Sequence, residues 1–164
     1  MRRAIVAVAV LALAIPVMAK KANETVVPVK TSTGDDAGSV TFMAAKDGKL
    51  EVKFALKNLP SGPHGFHIHL NPVCDAPDFK TAGGHMGEPA MHQHENVTIS
   101  PDGTTPTHFE FANLTYGGGA ATDVLLHGAS IVIHEKADDM TTDPTGNAGN
   151  RIACGVIPAA AAPM

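Results

Sequence analysis

The sequence predicts an all-β domain, a sandwich or barrel of short antiparallel strands joined by turns and long loops. Three observations carry this expectation. The 164 residues suit a single domain. Sixteen glycines and twelve prolines are more breakers than a helical bundle normally holds, and only 4% of the residues are aromatic. Several stretches alternate apolar and polar residues at period two, with no helical periodicity between them. The net charge of −4 argues against a nucleic-acid partner, which would require a basic face toward the phosphates.

The first segment reads as a signal for export. Met1-Arg2-Arg3 is a short basic start, Ala4 to Val17 is an apolar run, and Val17-Met18-Ala19 offers the residues at which a signal peptidase would cut. Residues 1–19 are therefore expected to be a signal peptide and 20–164 the domain. The run is too short to span a bilayer comfortably, so no membrane partner is expected. Cleavage after Ala19 removes two arginines and no acid, which takes the net charge from −4 to −6 and leaves 145 residues. A chain of that size buries roughly two thirds of its unfolded surface, enough for a self-sufficient core. The expected location is periplasmic or secreted. In such an oxidising compartment the even pair Cys74 and Cys154 reads as a disulfide. The loop it closes would give about 4–5 kcal/mol in the chain-entropy model.

The strands follow in order. Thr25 to Thr31 alternates weakly and reads as the first. Val40, Phe42 and Ala44 alternate with Ser39, Thr41 and Met43 in the second. Asp47-Gly48 supplies turn chemistry, and Leu50, Val52, Phe54 and Leu56 alternate with Lys49, Glu51, Lys53 and Lys57 to complete a hairpin. Pro60-Ser61-Gly62-Pro63 breaks the chain before a fourth strand, Gly65 to Leu70. Asn96 to Ile99, Asp102-Gly103, and Thr107 to Phe111 are expected to form another hairpin. Ser130 to Glu135 and Ile152 to Ile157 are late strands, and the Ala-rich end from Pro158 is expected to be disordered.

Nine histidines, all between His64 and His134, are the compositional surplus. In Phe66-His67-Ile68-His69-Leu70, period two sends Phe66, Ile68 and Leu70 to one face and both imidazoles to the other. Two histidines so placed can grip one metal ion. His85 in Gly83-Gly84-His85 and His134 at the end of Ile131-Val132-Ile133 are further candidates. Imidazole ligands without a free thiolate suit copper or zinc far better than magnesium or calcium. A single His-x-His arises readily by chance; the surplus of histidine tips the balance toward a metal.

Four segments then carry a resemblance. Gly62 to His69, Ala82 to His85, Val132 to Asp139 and Gly146 to Ile157 resemble the metal-site motifs of copper/zinc superoxide dismutase, and the match runs from about Ser39 to Ile157. Cys74-Asp75-Ala76-Pro77-Asp78-Phe79-Lys80 resembles the exported bacterial branch. The resemblance implies a Greek-key β-sandwich or flattened barrel of about eight antiparallel strands with long metal-binding loops. It implies copper ligands His67, His69, His85 and His134, with His85 bridging to zinc. Arg151 matches the arginine that holds the superoxide anion, Asp138 a carboxylate that orients the histidine rings, and Cys74 with Cys154 the disulfide. His64 matches a structural histidine outside the ligand set, and His108 and His127 are expected to be ordinary polar positions. A homodimer is compatible with the resemblance.

The departure is at zinc. His94 matches the second zinc histidine, with His92 as the alternative, and the expected His-x-Gly-Asp segment is missing before the strand at Asn96. A four-ligand zinc site is left short, so copper without stoichiometric zinc is expected. Pro144 stands where a guiding lysine is often found, which weakens electrostatic steering of the anion. The leading expectation is an exported copper-dependent superoxide dismutase that converts superoxide to oxygen and hydrogen peroxide. The rival is a non-catalytic copper-binding or storage protein on the same fold. Such a protein would have no need of Arg151.

Overall fold

Residues 24–86, 95–103, 105, 108–117, 119 and 123–160 are described by a computed structural model. Eight strands follow one another: β1 Glu24–Thr31, β2 Asp36–Ala44, β3 Lys49–Leu56, β4 Gly62–His69, β5 Asn96–Ile99, β6 His108–Thr115, β7 Ala129–His134 and β8 Arg151–Ile157. They form one antiparallel sheet in the order β5-β4-β7-β8-β1-β2-β3-β6. The period-two patterns explain its inner face. Val27 and Val29 from β1, Val40 and Phe42 from β2, Leu50, Val52, Phe54 and Leu56 from β3, and Ile131 and Ile133 from β7 all enter one core. Close approach of β2 to β3 requires glycine at one point: a Cβ on Gly38, which sits at φ +93°, would collide with the Ala55 carbonyl.

The sheet curls so that β4, next to one edge, meets β6 at the other through side chains. Phe66 on β4 packs against Phe109 and Phe111 on β6, with ring centroids 4.8 and 5.9 Å apart. Asn96–Ile99 and His108–Thr115 do not make the expected hairpin; they lie at opposite edges of the sheet. The Asp102-Gly103 turn is present, with Gly103 at φ +80° donating its N–H to Ser100 O at 2.8 Å. It reverses the chain without choosing the partner. Partner choice follows cross-strand packing: Phe109 stands opposite Val52 and Phe111 opposite Leu50, so β6 joins β3, while β5 joins the start of β4.

Two smaller expectations also change. Leu70 is 52% exposed and lies outside the core, because β4 ends at His69 and the chain turns away there. The Ala-rich end is held at its start, where Ala160 N donates to Leu125 O at 2.8 Å; residues 161–164 lie outside the described residues.

The outer face of β7 and β8 carries a second cluster. Val132 and Cys154, directly paired across the two strands, pack with Phe79 and Ala82 from the loop that follows β4. The Cys74–Cys154 disulfide, with Cα atoms 5.7 Å apart, ties that loop to β8. The loop is thereby pressed onto the outer face of β7 and β8, beside His134 at the end of β7.

Candidate metal centre

β4 and β7 are neighbours, with His67 paired to Val132 and Ile68 to Ile131. His67 and His69 leave β4 on its outer face, and His134 closes β7 beside a register shift against β8. His85 comes from the loop and makes an isolated bridge with His69. One ring nitrogen from each of His67, His69, His85 and His134 can be chosen so that all four lie within 4.8 Å of one another. The four rings line a single point, with centroids 4.1 Å apart for His67 and His85 and 4.7 Å for His67 and His134.

Hydrogen bonds fix which nitrogen three of the four rings present. His69 Nδ1–H donates to Gly83 O at 2.9 Å, and His134 Nδ1–H donates to Gly149 O at 3.2 Å. Both Nε2 atoms are then acceptors, buried and without a hydrogen-bond partner. A buried lone pair so placed is costly unless something binds it, and a metal ion is what two such imidazoles side by side fit. His67 gives Nε2 to Asp138 Oδ2 at 2.7 Å, which leaves Nδ1 as its ligand atom. Burial pushes His69 down to about 2, with the neighbouring His85, Arg151 and His134 adding to the effect and the Gly83 bond opposing it. Burial also lowers His134. Both rings are therefore neutral at ordinary pH, the form that binds metal.

Asp138 is held on all sides. Its Oδ1 accepts from Met140 N at 2.8 Å, and its backbone is clamped by the Asn96 amide, which accepts from Asp138 N at 2.7 Å and donates to Asp138 O at 3.0 Å. A Cβ on Gly146, at φ +58°, would overlap the Asp138 carboxylate, so only glycine leaves room there. His64 is buried, and its two ring nitrogens face His134 O at 2.8 Å and Pro60 O at 2.9 Å. It clamps backbone and offers nothing to a metal.

Arg151 opens β8 beside the cluster. Its Nη1 donates to Phe79 O at 2.7 Å and its Nη2 to Gly83 O at 2.8 Å. Burial pulls the guanidinium somewhat below its ordinary value while the Asp78 carboxylate pushes it up, and it stays cationic throughout the working range. An open surface depression is lined by Asp78, Lys80, Gly149, Asn150 and Arg151.

The structure thus brings together His67, His69, His85, His134, Asp138, Arg151 and the two cysteines. His92 and His94 lie outside the described residues, while His108 and His127 are exposed and outside the cluster. Sequence reasoning missed Asn96, which it saw only as a strand start, and the role of Gly146. It also missed the carbonyls of Phe79, Gly83 and Gly149, which no side-chain motif could reveal.

Residues 36–157 match the family model for copper/zinc superoxide dismutase. The chain is 38% identical to a superoxide dismutase [Cu-Zn] of Caulobacter vibrioides over 144 residues, 79% of this chain and 82% of that one. Among solved structures it is similar to a SOD-like protein from Bacillus subtilis, with a TM-score of 0.72, 26% identity, and coverage of 80% of this chain and 97% of that one. It is also similar to the Cu/Zn superoxide dismutase from Brucella abortus, with a TM-score of 0.65, 26% identity, and coverage of 82% and 99%.

Proposed function

Since this chain belongs to the copper/zinc superoxide dismutase family and is thereby a superoxide-dismutating oxidoreductase, we propose that it works as an exported, copper-dependent enzyme. The observation that carries the copper assignment is the pair of buried, partnerless Nε2 atoms on His69 and His134, beside His67 and His85. Four imidazoles with no thiolate suit copper. Bound copper supplies the one-electron couple by which one superoxide leaves as oxygen and a second, with two protons, as hydrogen peroxide.

The chain does the rest. Gly83 O and Gly149 O hold the Nδ1 protons of His69 and His134, which keeps each Nε2 lone pair aimed inward. Asp138 orients His67 from behind in the same way. Arg151 draws superoxide down the depression and holds it at the rings, its own position set by Phe79 O and Gly83 O. Export is supported by the basic-then-apolar start and the Cys74–Cys154 disulfide. The test is metal analysis of the natively exported protein together with a superoxide dismutation assay. Dismutation that requires copper bears the reading out; activity without copper, or copper without activity, sinks it.

A further inference from the structure

Phe79 combines three features that do not ordinarily coincide. Its backbone is left-handed at φ +52°, a conformation that bulky residues rarely adopt. Its ring is 1% exposed, buried with Ala82, Val132 and Cys154 on the outer face of β7 and β8. Its carbonyl accepts from Arg151 Nη1 at 2.7 Å and from Ala82 N at 3.1 Å, opening the 3₁₀ turn Lys80–Ala82. A glycine would reach this conformation without steric cost, so the phenylalanine is there for its ring. Strained backbone at a site persists only where surrounding packing over-determines it, and here the packing comes from the ring itself.

We infer that Phe79 is the positioning residue for Arg151: its ring plugs the loop onto the Val132–Cys154 pair, and its left-handed backbone thereby turns the carbonyl toward the guanidinium. The two halves depend on each other. Cys154 lies three residues after Arg151 on β8, so the ring is seated against the strand that carries the guanidinium it positions. The disulfide at Cys74 fixes the loop to β8 at one point; five residues on, the Phe79 ring adds an apolar contact on the same strand pair. Without the ring, the turn can relax toward φ < 0 and its carbonyl swings away, leaving Arg151 with Gly83 O alone. The inference rests on Arg151 being the group that holds the anion.

Arg151 is the only arginine after Arg3, which makes arginine labelling a site-specific probe. Phenylglyoxal labelling of Arg151, followed by peptide mapping, would be measured in the disulfide-bonded holoprotein and in Phe79→Ala, Phe79→Gly and Phe79→Leu. Copper content, the Cu(II) EPR spectrum and dismutation are read alongside. Ala and Gly are expected to label severalfold faster and to dismutate about tenfold more slowly, as for loss of one charge-assisted contact, with copper content and EPR spectrum unchanged. Leu, which retains apolar bulk, should stay close to the parent in both and serves as the rescue if the smaller variants fold poorly. Parent-rate labelling in folded Ala and Gly variants would overturn the inference, as would slow dismutation in them without faster labelling. A parent that labels slowly but shows no dismutation at all would sink the enzymatic reading and leave the positioning role standing.

Discussion

His69 and Arg151 share one acceptor. The Gly83 carbonyl takes the Nδ1 proton of His69 at 2.9 Å and Nη2 of Arg151 at 2.8 Å. The carbonyl that orients one imidazole of the cluster is therefore also the one that anchors the Arg151 guanidinium, and a single peptide unit sets the distance between the two. Gly83 itself sits at φ +80°, and an added Cβ would press on the Asn71 side chain, so this peptide depends on glycine.

Loss of a ligand should abolish copper binding without unfolding the domain. In His69→Ala or His134→Ala the ring set loses one of its two partnerless Nε2 atoms, while the core and the disulfide stay intact. Copper content and dismutation should fall together, with the β-sheet circular-dichroism signal retained. Full activity in either variant would refute the ligand assignment.

Arg151→Ala should retain copper and slow turnover by one to two decades, on the order of 1.5–3 kcal/mol for a lost charge-assisted contact. Arg151→Glu should be slower still, because it repels the anion. Steady-state rates at low and high salt provide the check, since the Arg151→Ala deficit should shrink as salt screens the parent's attraction.

Gly146→Ala should weaken copper binding without touching a ligand. The new methyl group would occupy the space of the Asp138 carboxylate, at a backbone φ of +58° that already disfavours alanine. His67 then loses the acceptor that orients it, and copper affinity should drop by about 10- to 100-fold, as for loss of a ligand's hydrogen-bond partner. Competition against a copper chelator measures this. Asp138→Asn should show the same direction with less disturbance of the fold.

Zinc should be substoichiometric. Among the described residues, the group that could hold a metal contains four histidines and no carboxylate, and Asp138 is engaged with His67 and with Met140 N. The zinc-to-copper ratio of the natively exported protein should lie well below one. One tightly held zinc per chain, released by His94→Ala, would contradict this.

Acid stability should report Asp139. Hydrogen bonds from Thr142 Oγ1, Thr142 N and Thr141 N hold its carboxylate at about 2, below the ordinary 3.8. A lowered folded-state value means a contribution that is complete above the unfolded value and is lost as pH falls from about 4 toward about 2. The stability difference between the parent and Asp139→Asn, measured by urea unfolding, should therefore shrink across that window. A difference independent of pH would show that the charge is not what matters.

The legible parts of the molecule were those written in side chains at regular spacing. Alternation in Leu50, Val52, Phe54 and Leu56 marked β3, and the same period placed His67 and His69 on one face, because a strand's pleat leaves no other option. What stayed hidden was written in backbone. The carbonyls of Phe79, Gly83 and Gly149 belong to residues whose types say nothing about acceptor direction. The partners of β5 and β6 were equally obscure, since Asp102-Gly103 announces a turn and the phenylalanines that decide the pairing are matched to residues some sixty positions earlier. Leu70 failed for a local reason: the alternation continues one residue past the point where the strand ends.

The pairing of β4 with β7 has an evolutionary consequence. His67, His69 and His134 inherit their mutual spacing from the hydrogen-bond pitch between two adjacent strands, and only His85 is delivered by a connecting segment. Lineages can therefore trim, lengthen or exchange the segments around the cluster while three imidazoles hold their places. Loop grafting at residues 87–94 should be tolerated on the same ground, and any affinity for zinc is the property such grafts would alter first.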